Sequence, residues 1–210
     1  MRIKQLNYFL SKVVNFNKVI KYLTFSDLLI LSGFGLISPI FAIFIINNVN
    51  GSNLQVVGIA ETIFLLAKGL VQIPTAKIID KTKGEKDDFG VLFVGSILFS
   101  LIPLLYLSMS SPYHLYFIQL LYGVASGITL PAWYAIFTRH VDYGHAGLEW
   151  GIYRTLSDLG GALAAALGGF LAYRFGFNLL FIAITFISLM GTLLILPIYK
   201  NMKTGFVLFK

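Results

Sequence analysis

The stretch Leu148–Phe181, LEWGIYRTLSDLGGALAAALGGFLAYRFGFNLLF, decides how this chain folds. On a helix, Gly161, Ala165, Gly168 and Ala172 share one stripe, because spacings of three and four nearly close at about 3.6 residues per turn. A stripe of small residues lets a second backbone come close, and in lipid that close packing holds helices together. The apolar run stops at Arg174-Phe175-Gly176 and resumes at once. The pattern therefore predicts two spans joined by a very tight turn. It reads as an all-α, polytopic membrane protein.

The totals agree. Of 210 residues, 57% are hydrophobic and 12% charged, about half the charged share of a soluble domain. The mean hydropathy is +0.81. The net charge of +7 does not point to nucleic acid, because nearly all Lys and Arg fall in segments on one side of the expected spans, as the positive-inside rule requires. The chain has no cysteine, which excludes disulfides and thiolate metal sites. His114, His140 and His145 lie at helix ends without ligand spacing. No metal or other cofactor is expected.

Residues 1–22 carry Arg2, Lys4, Lys12, Lys18 and Lys21 and no acid. Ile3, Leu6, Leu10, Val13 and Phe16 recur at helical spacing, so this segment reads either as an interfacial helix or as a solvated basic tail. Six spans are expected over residues 23–199, at about 23–46, 56–79, 89–109, 113–138, 148–175 and 177–198. The tail 200–210 holds Lys200, Lys203 and Lys210. Both termini then lie in the cytoplasm, and Arg174 is the only basic residue outside. A multi-pass protein of the plasma membrane follows.

A faint repeat is present. Gly35-x-x-x-Pro39 is echoed by Gly127-x-x-x-Pro131, each followed closely by Ala-Ile-Phe. Helices three spans apart run in opposite directions, which gives an inverted three-plus-three arrangement.

Three further patterns resemble the major facilitator superfamily, and specifically its amino-terminal six-helix half. The loop Ala76-x-x-x-Asp80-Lys81-x-x-Gly84-x-Lys86 is similar to the family's cytoplasmic loop motif, with Ala76 for the first glycine and one extra residue before Gly84. Gln119-x-x-x-Gly123-x-x-x-Gly127-x-x-x-Pro131 resembles the fourth-helix motif with its arginine replaced by Gln119. Gly160-x-x-x-Ala164-Ala165-x-x-Gly168-Gly169 resembles the fifth-helix signature, with alanines where the second glycine and the proline stand. The resemblance covers about residues 23–200. It implies twelve spans in two halves with a solute held between them at mid-membrane. Here a homodimer or a second six-helix half would supply the rest.

Several residues are candidates for function. Lys68 sits mid-span, where a charge is costly and faces protein or a wet cavity. Glu61, Lys68, Gln72 and Thr75 share one stripe, readable as a cavity wall or as an internal structural pair. Arg154 and Asp158, four apart, can pair, either gating the inner end or simply packing. Asp27, with Ser26, is a helix cap or a solute or proton site. By resemblance, Asp80 holds the inward gate closed against a base near span four, for which Arg139 is available. Lys81, Lys83 and Lys86 serve orientation. Gln119 keeps a polar group in span four but lacks the arginine that assists proton movement. Trp133, Tyr134 and Trp150 suit interfacial anchoring. Gly123, Gly127, Pro131, Gly160, Gly161, Gly168 and Gly169 are expected to pack helices.

The expected function is a transporter unit moving a small solute by alternating access, with proton or ion coupling left open. A non-transporting membrane scaffold is the alternative. With no nucleophile–base pair in the pattern, an enzyme is not expected.

Overall fold

The computed structural model describes residues 17–82 and 84–202. The expected basic segment up to Phe16, Lys83 and the end of the tail from Lys203 lie outside the described residues. The fold is all-helical among them, with five helices or helix pairs long and apolar enough to cross a membrane.

Helix α1 (Lys18–Gly35) is capped by Asn17, whose side chain accepts the Val19 N–H at 3.0 Å. That overturns the capping role expected of Ser26 and Asp27, which lie inside the helix. Val19, Ile20 and Leu23 are buried, so the helix takes its first turn from the segment expected to be a tail. A short 3₁₀ turn (Ser38–Ile40) with Pro39 in its first turn joins α1 to α2 (Phe41–Asn48).

Asn53 caps α3 (Leu54–Lys81) by accepting the Val56 N–H at 3.0 Å. The chain then turns through Gly84, whose φ of 155° and ψ of 153° belong to a region essentially restricted to glycine. Helix α4 (Glu85–Leu105) opens with Glu85, Asp87 and Asp88, favourable at a positive helix start. Helix α5 (Pro112–His140) has Ser111 as cap, Pro112 in its first turn and Arg139 and His140 in its last. Pro131 lies inside α5, whereas α1 stops short of Pro39. The two echoed motifs thus bend the chain differently.

Helix α6 (Ala146–Leu193) has 48 residues with one non-helical position, Gly176 at φ 80° and ψ 171°. A straight rod of that length would measure about 72 Å, more than twice a bilayer core of about 30 Å. Its two arms meet α1 in opposite senses. Before Gly176, Gly160 faces Leu28 and Ser32, Gly35 faces Gly161 and Ala164, and Gly168 faces Leu36, so numbering rises together. After it, Gly33 faces Ser188 and Gly191 faces Ser26, so numbering runs oppositely. The chain reverses at Gly176.

Glycine sets every close approach. At Gly123 an added Cβ would lie 2.5 Å from the Phe64 carbonyl oxygen, and at Gly127 2.8 Å from that of Lys68. These two draw α5 onto α3 in parallel. Gly95 brings α4 against Thr129 of α5, and Ser100 meets Thr192 of the second arm at 3.0 Å. The seam expected at Gly161, Ala165, Gly168 and Ala172 runs instead through Gly160, Ala164 and Gly168, with Ala164 buried, while a Cβ added at Gly161 would meet nothing within 4 Å. Gly169 faces open space, since nothing lies within 4 Å of an added Cβ.

The contrast between neighbours is testable. Gly168→Ala would push a methyl into the Leu36 backbone and is expected to destabilise by about 1–3 kcal/mol. Gly169→Ala should be neutral or stabilising by up to about 1 kcal/mol, the helix-propensity gain. Thermal melting of both variants in detergent compares them, and equal melting would show that the seam is not where the coordinates put it.

Candidate functional site

Polar side chains of the spans line three separate cavities. The first, of about 390 Å³, opens where α1, α3, α4 and α5 converge, and both Glu61 and Gln119 line it. Glu61 is exposed to it at the solvent side. Gln119 is 2% exposed, and its side-chain oxygen has no hydrogen-bond partner among the described residues. Aromatic rings form the wall. Tyr122 stacks against Phe64 at 4.5 Å and Phe34 at 5.4 Å, and Phe99 closes on both Phe34 and Tyr122. The Glu61 carboxylate is within electrostatic range of Tyr106 and Tyr122.

The second cavity, about 60 Å³, is lined by Ser26, Asp27, Ser96, Ser126, Thr129 and Trp133 among others. The Tyr153 hydroxyl donates to Asp27 at 2.5 Å, tying α1 to α6. The third, about 480 Å³, lies between the ends of α3 and α5 and takes in Gln72, Asp80, Pro131 and Arg139. The stripe Glu61–Lys68–Gln72 is therefore not one wall. Its top faces the first cavity and its foot the third. Lys68, half-buried, lines none of the three. Its Nζ sits 5.8 Å from the centre of the Phe64 ring.

The charged end differs from expectation in one pairing. Arg139 bonds Asp88, not Asp80. The Asp88 side chain is 1% exposed, so only an ion pair makes its burial tolerable. His140 lies 3.7 Å from Glu85 beside it. Asp80 and Lys81 are exposed at the end of α3. Lys86 rests 5.4 Å over the Tyr199 ring, and so clasps the chain's last described turn.

Arg154 and Asp158 approach to 3.7 Å on one face of α6, with side chains 64% and 71% exposed. Trp133 corrects another expectation. It is 5% exposed and packs on Phe137, Trp150 and Tyr153, so it belongs to the core and not to an interfacial belt. Tyr134 is exposed. Asp88, Tyr122 and Tyr153 were not singled out from sequence. An acid in a helix's first turn reads as a dipole partner, and nothing in the spacing links it to a base 51 positions on. Among the described residues, no three His, Asp or Glu side chains gather as metal ligands.

Arg139→Ala would leave the Asp88 carboxylate buried without its partner, a loss expected to cost about 3–5 kcal/mol. Adding Asp88→Asn should recover a large part of it, while Asp80→Asn alone should change stability by under about 0.5 kcal/mol. A thermal double-mutant cycle in detergent measures the coupling. Additive losses would deny the pair.

Comparison with known proteins places this architecture. The family model for the Major Facilitator Superfamily matches residues 23–205. Over 95 residues the chain is 30% identical to proteins named proton-coupled antiporter flippase LtaA from two strains of Staphylococcus epidermidis. That segment is 45% of this chain and 23% of each relative. Since the family model takes in most of the sequence, the chain is a multi-pass membrane protein belonging to the major facilitator superfamily, whose members are transporters and not enzymes.

Proposed function

We propose that this chain is a half-size transporter unit. It crosses the plasma membrane six times with both termini in the cytoplasm, and it works beside a second copy to move a small solute by alternating access. The observation that carries this reading is the first cavity. It joins one carboxylate and one unpartnered buried amide oxygen to a wall of aromatic rings, in a volume typical of small-molecule sites.

The reversal at Gly176 supports six crossings, since it divides α6 into two arms of opposite sense. The neighbour pattern supports the inverted repeat. Exchanging α1 with α5, α3 with the first arm and α4 with the second turns the α3–α5 seam into the α1–first-arm seam. The same exchange turns the α4–α5 contact at Gly95 into the α1–second-arm contact at Gly191. A second unit is supported by bare surface. Arg154 and Asp158 on the first arm of α6 are exposed. Asp158 is about 18 Å along the helix from Ala146, too deep for a charge to face lipid cheaply. The relatives' description as proton-coupled supports proposing an ion or proton as the coupled species. Residues 1–16, proposed as a basic interfacial segment, and the remaining tail would lie on the cytoplasmic side.

Because the chain has no cysteine, single introduced thiols can map it. Asn50→Cys and Ser110→Cys, both exposed, should react with an impermeant maleimide from outside, and Tyr143→Cys only from inside. Ser38→Cys, in the first cavity, should react from either side in oriented vesicles. Reaction from one side only would rule out alternating access. Native mass in detergent should be twice the 23.3 kDa of the chain. A strict monomer would dismiss the homodimer and leave a different six-helix partner.

A further inference from the structure

The side chains around the first cavity are selective in kind. Glu61 alone among them carries a formal charge. Gln119 offers an acceptor oxygen that nothing among the described residues satisfies, although it is almost wholly buried. The remaining wall is dominated by ring faces and edges, including Phe34, Phe64, Tyr106 and Tyr122. A carboxylate and an orphan acceptor both call for a donor. Ring faces attract cations and accommodate flat apolar bodies.

We propose that the solute held beside Glu61 is a protonated amine carried on an aromatic or other apolar body. The ammonium would sit against the Glu61 carboxylate, reached by a charge-assisted hydrogen bond, with Gln119 turning its buried oxygen toward it and the body against the rings. An anion would meet Glu61 with no cation in the lining to offset it. A neutral hydroxylated solute can satisfy Gln119, but it encloses the Glu61 charge without neutralising it, which is costly. This inference rests on the transporter reading above and names its substrate class.

Binding to the purified full chain in detergent, read by calorimetry, tests it apart from transport. The probes are tryptamine and tryptophol, which share one body and differ in ammonium against hydroxyl, with methyl glucoside as a polar neutral control. Tryptamine is expected to bind at least about tenfold more tightly than tryptophol, and Glu61→Gln should reduce that preference to about twofold or less. The wild-type ratio stands even if the variant folds poorly. The inference is overturned if tryptamine does not bind, if tryptophol or the glucoside binds as well, or if the preference survives Glu61→Gln. Mass is read on the same sample. A monomer that keeps the Glu61-dependent preference removes the homodimer and leaves the amine site, and a dimer without the preference does the reverse.

Discussion

Lipid gives two apolar helices no hydrophobic reason to leave it for one another, so contact must be won by closeness. That constraint falls on a few glycines here. At Gly123 and Gly127 the α5 backbone lies against the α3 backbone so tightly that a methyl at Gly123 would meet the Phe64 carbonyl at 2.5 Å. At Gly35 and Gly168, α1 and the first arm of α6 do the same. The seams fix which face of each helix is covered. With α3 clamped to α5 through residues 64–71, its other face is left bare, and Glu61 is carried to the mouth of the cavity. The site's position is thus a by-product of packing.

Polar groups in the spans are handled by two devices. Hydroxyls turn inward on their own helix. Thr62, Thr75, Thr129, Thr155 and Thr185 each donate to the carbonyl four residues back, which satisfies the donor without a second helix. Several charges are gathered at one end, where Arg139 meets Asp88 and His140 stands near Glu85 beneath the packed rings of Trp133, Phe137, Trp150 and Tyr153. The opposite end has its own apolar cluster around Phe44, Tyr106 and Phe181, but the cavity is cut into it. One end is cross-linked by charge beside the third cavity. The other is hollow.

Much of the fold was legible because a bilayer translates directly into sequence. Span length, the charged loop after α3, and the break at Arg174-Phe175-Gly176 all come from local composition, and the structure places helix ends within a few residues of them. The small-residue seam was one position out, at Gly161 and Ala165 against Gly160 and Ala164, since a 3.6-residue period leaves that choice to the crossing angle. The site was less legible. Glu61 and Lys68 share a stripe in projection, yet helix α5 presses against α3 between them, so the two face different surroundings. The Arg139–Asp88 pair needed the antiparallel approach of α4 and α5. Asp27 read as a cap because it stands near the expected span start, but helix α1 begins earlier, at Lys18, once Val19 and Ile20 are buried.

The same packing supports the second unit proposed above. Seams made of glycine hold pairs of helices, and each pair leaves an outer face. On most of the molecule those faces are leucine, isoleucine and phenylalanine, which lipid can cover. On α3 and the first arm of α6 they also carry Glu61, Arg154 and Asp158, which it covers poorly. The Arg154–Asp158 pair lowers the local charge but stays exposed, and a contact of 3.7 Å within one helix does not replace the hydration it would lose in hydrocarbon. Water or a second protein surface has to meet that face. A self-associating interface would let Arg154 of one copy meet Asp158 of the other, since a two-fold contact sets the same patch against itself.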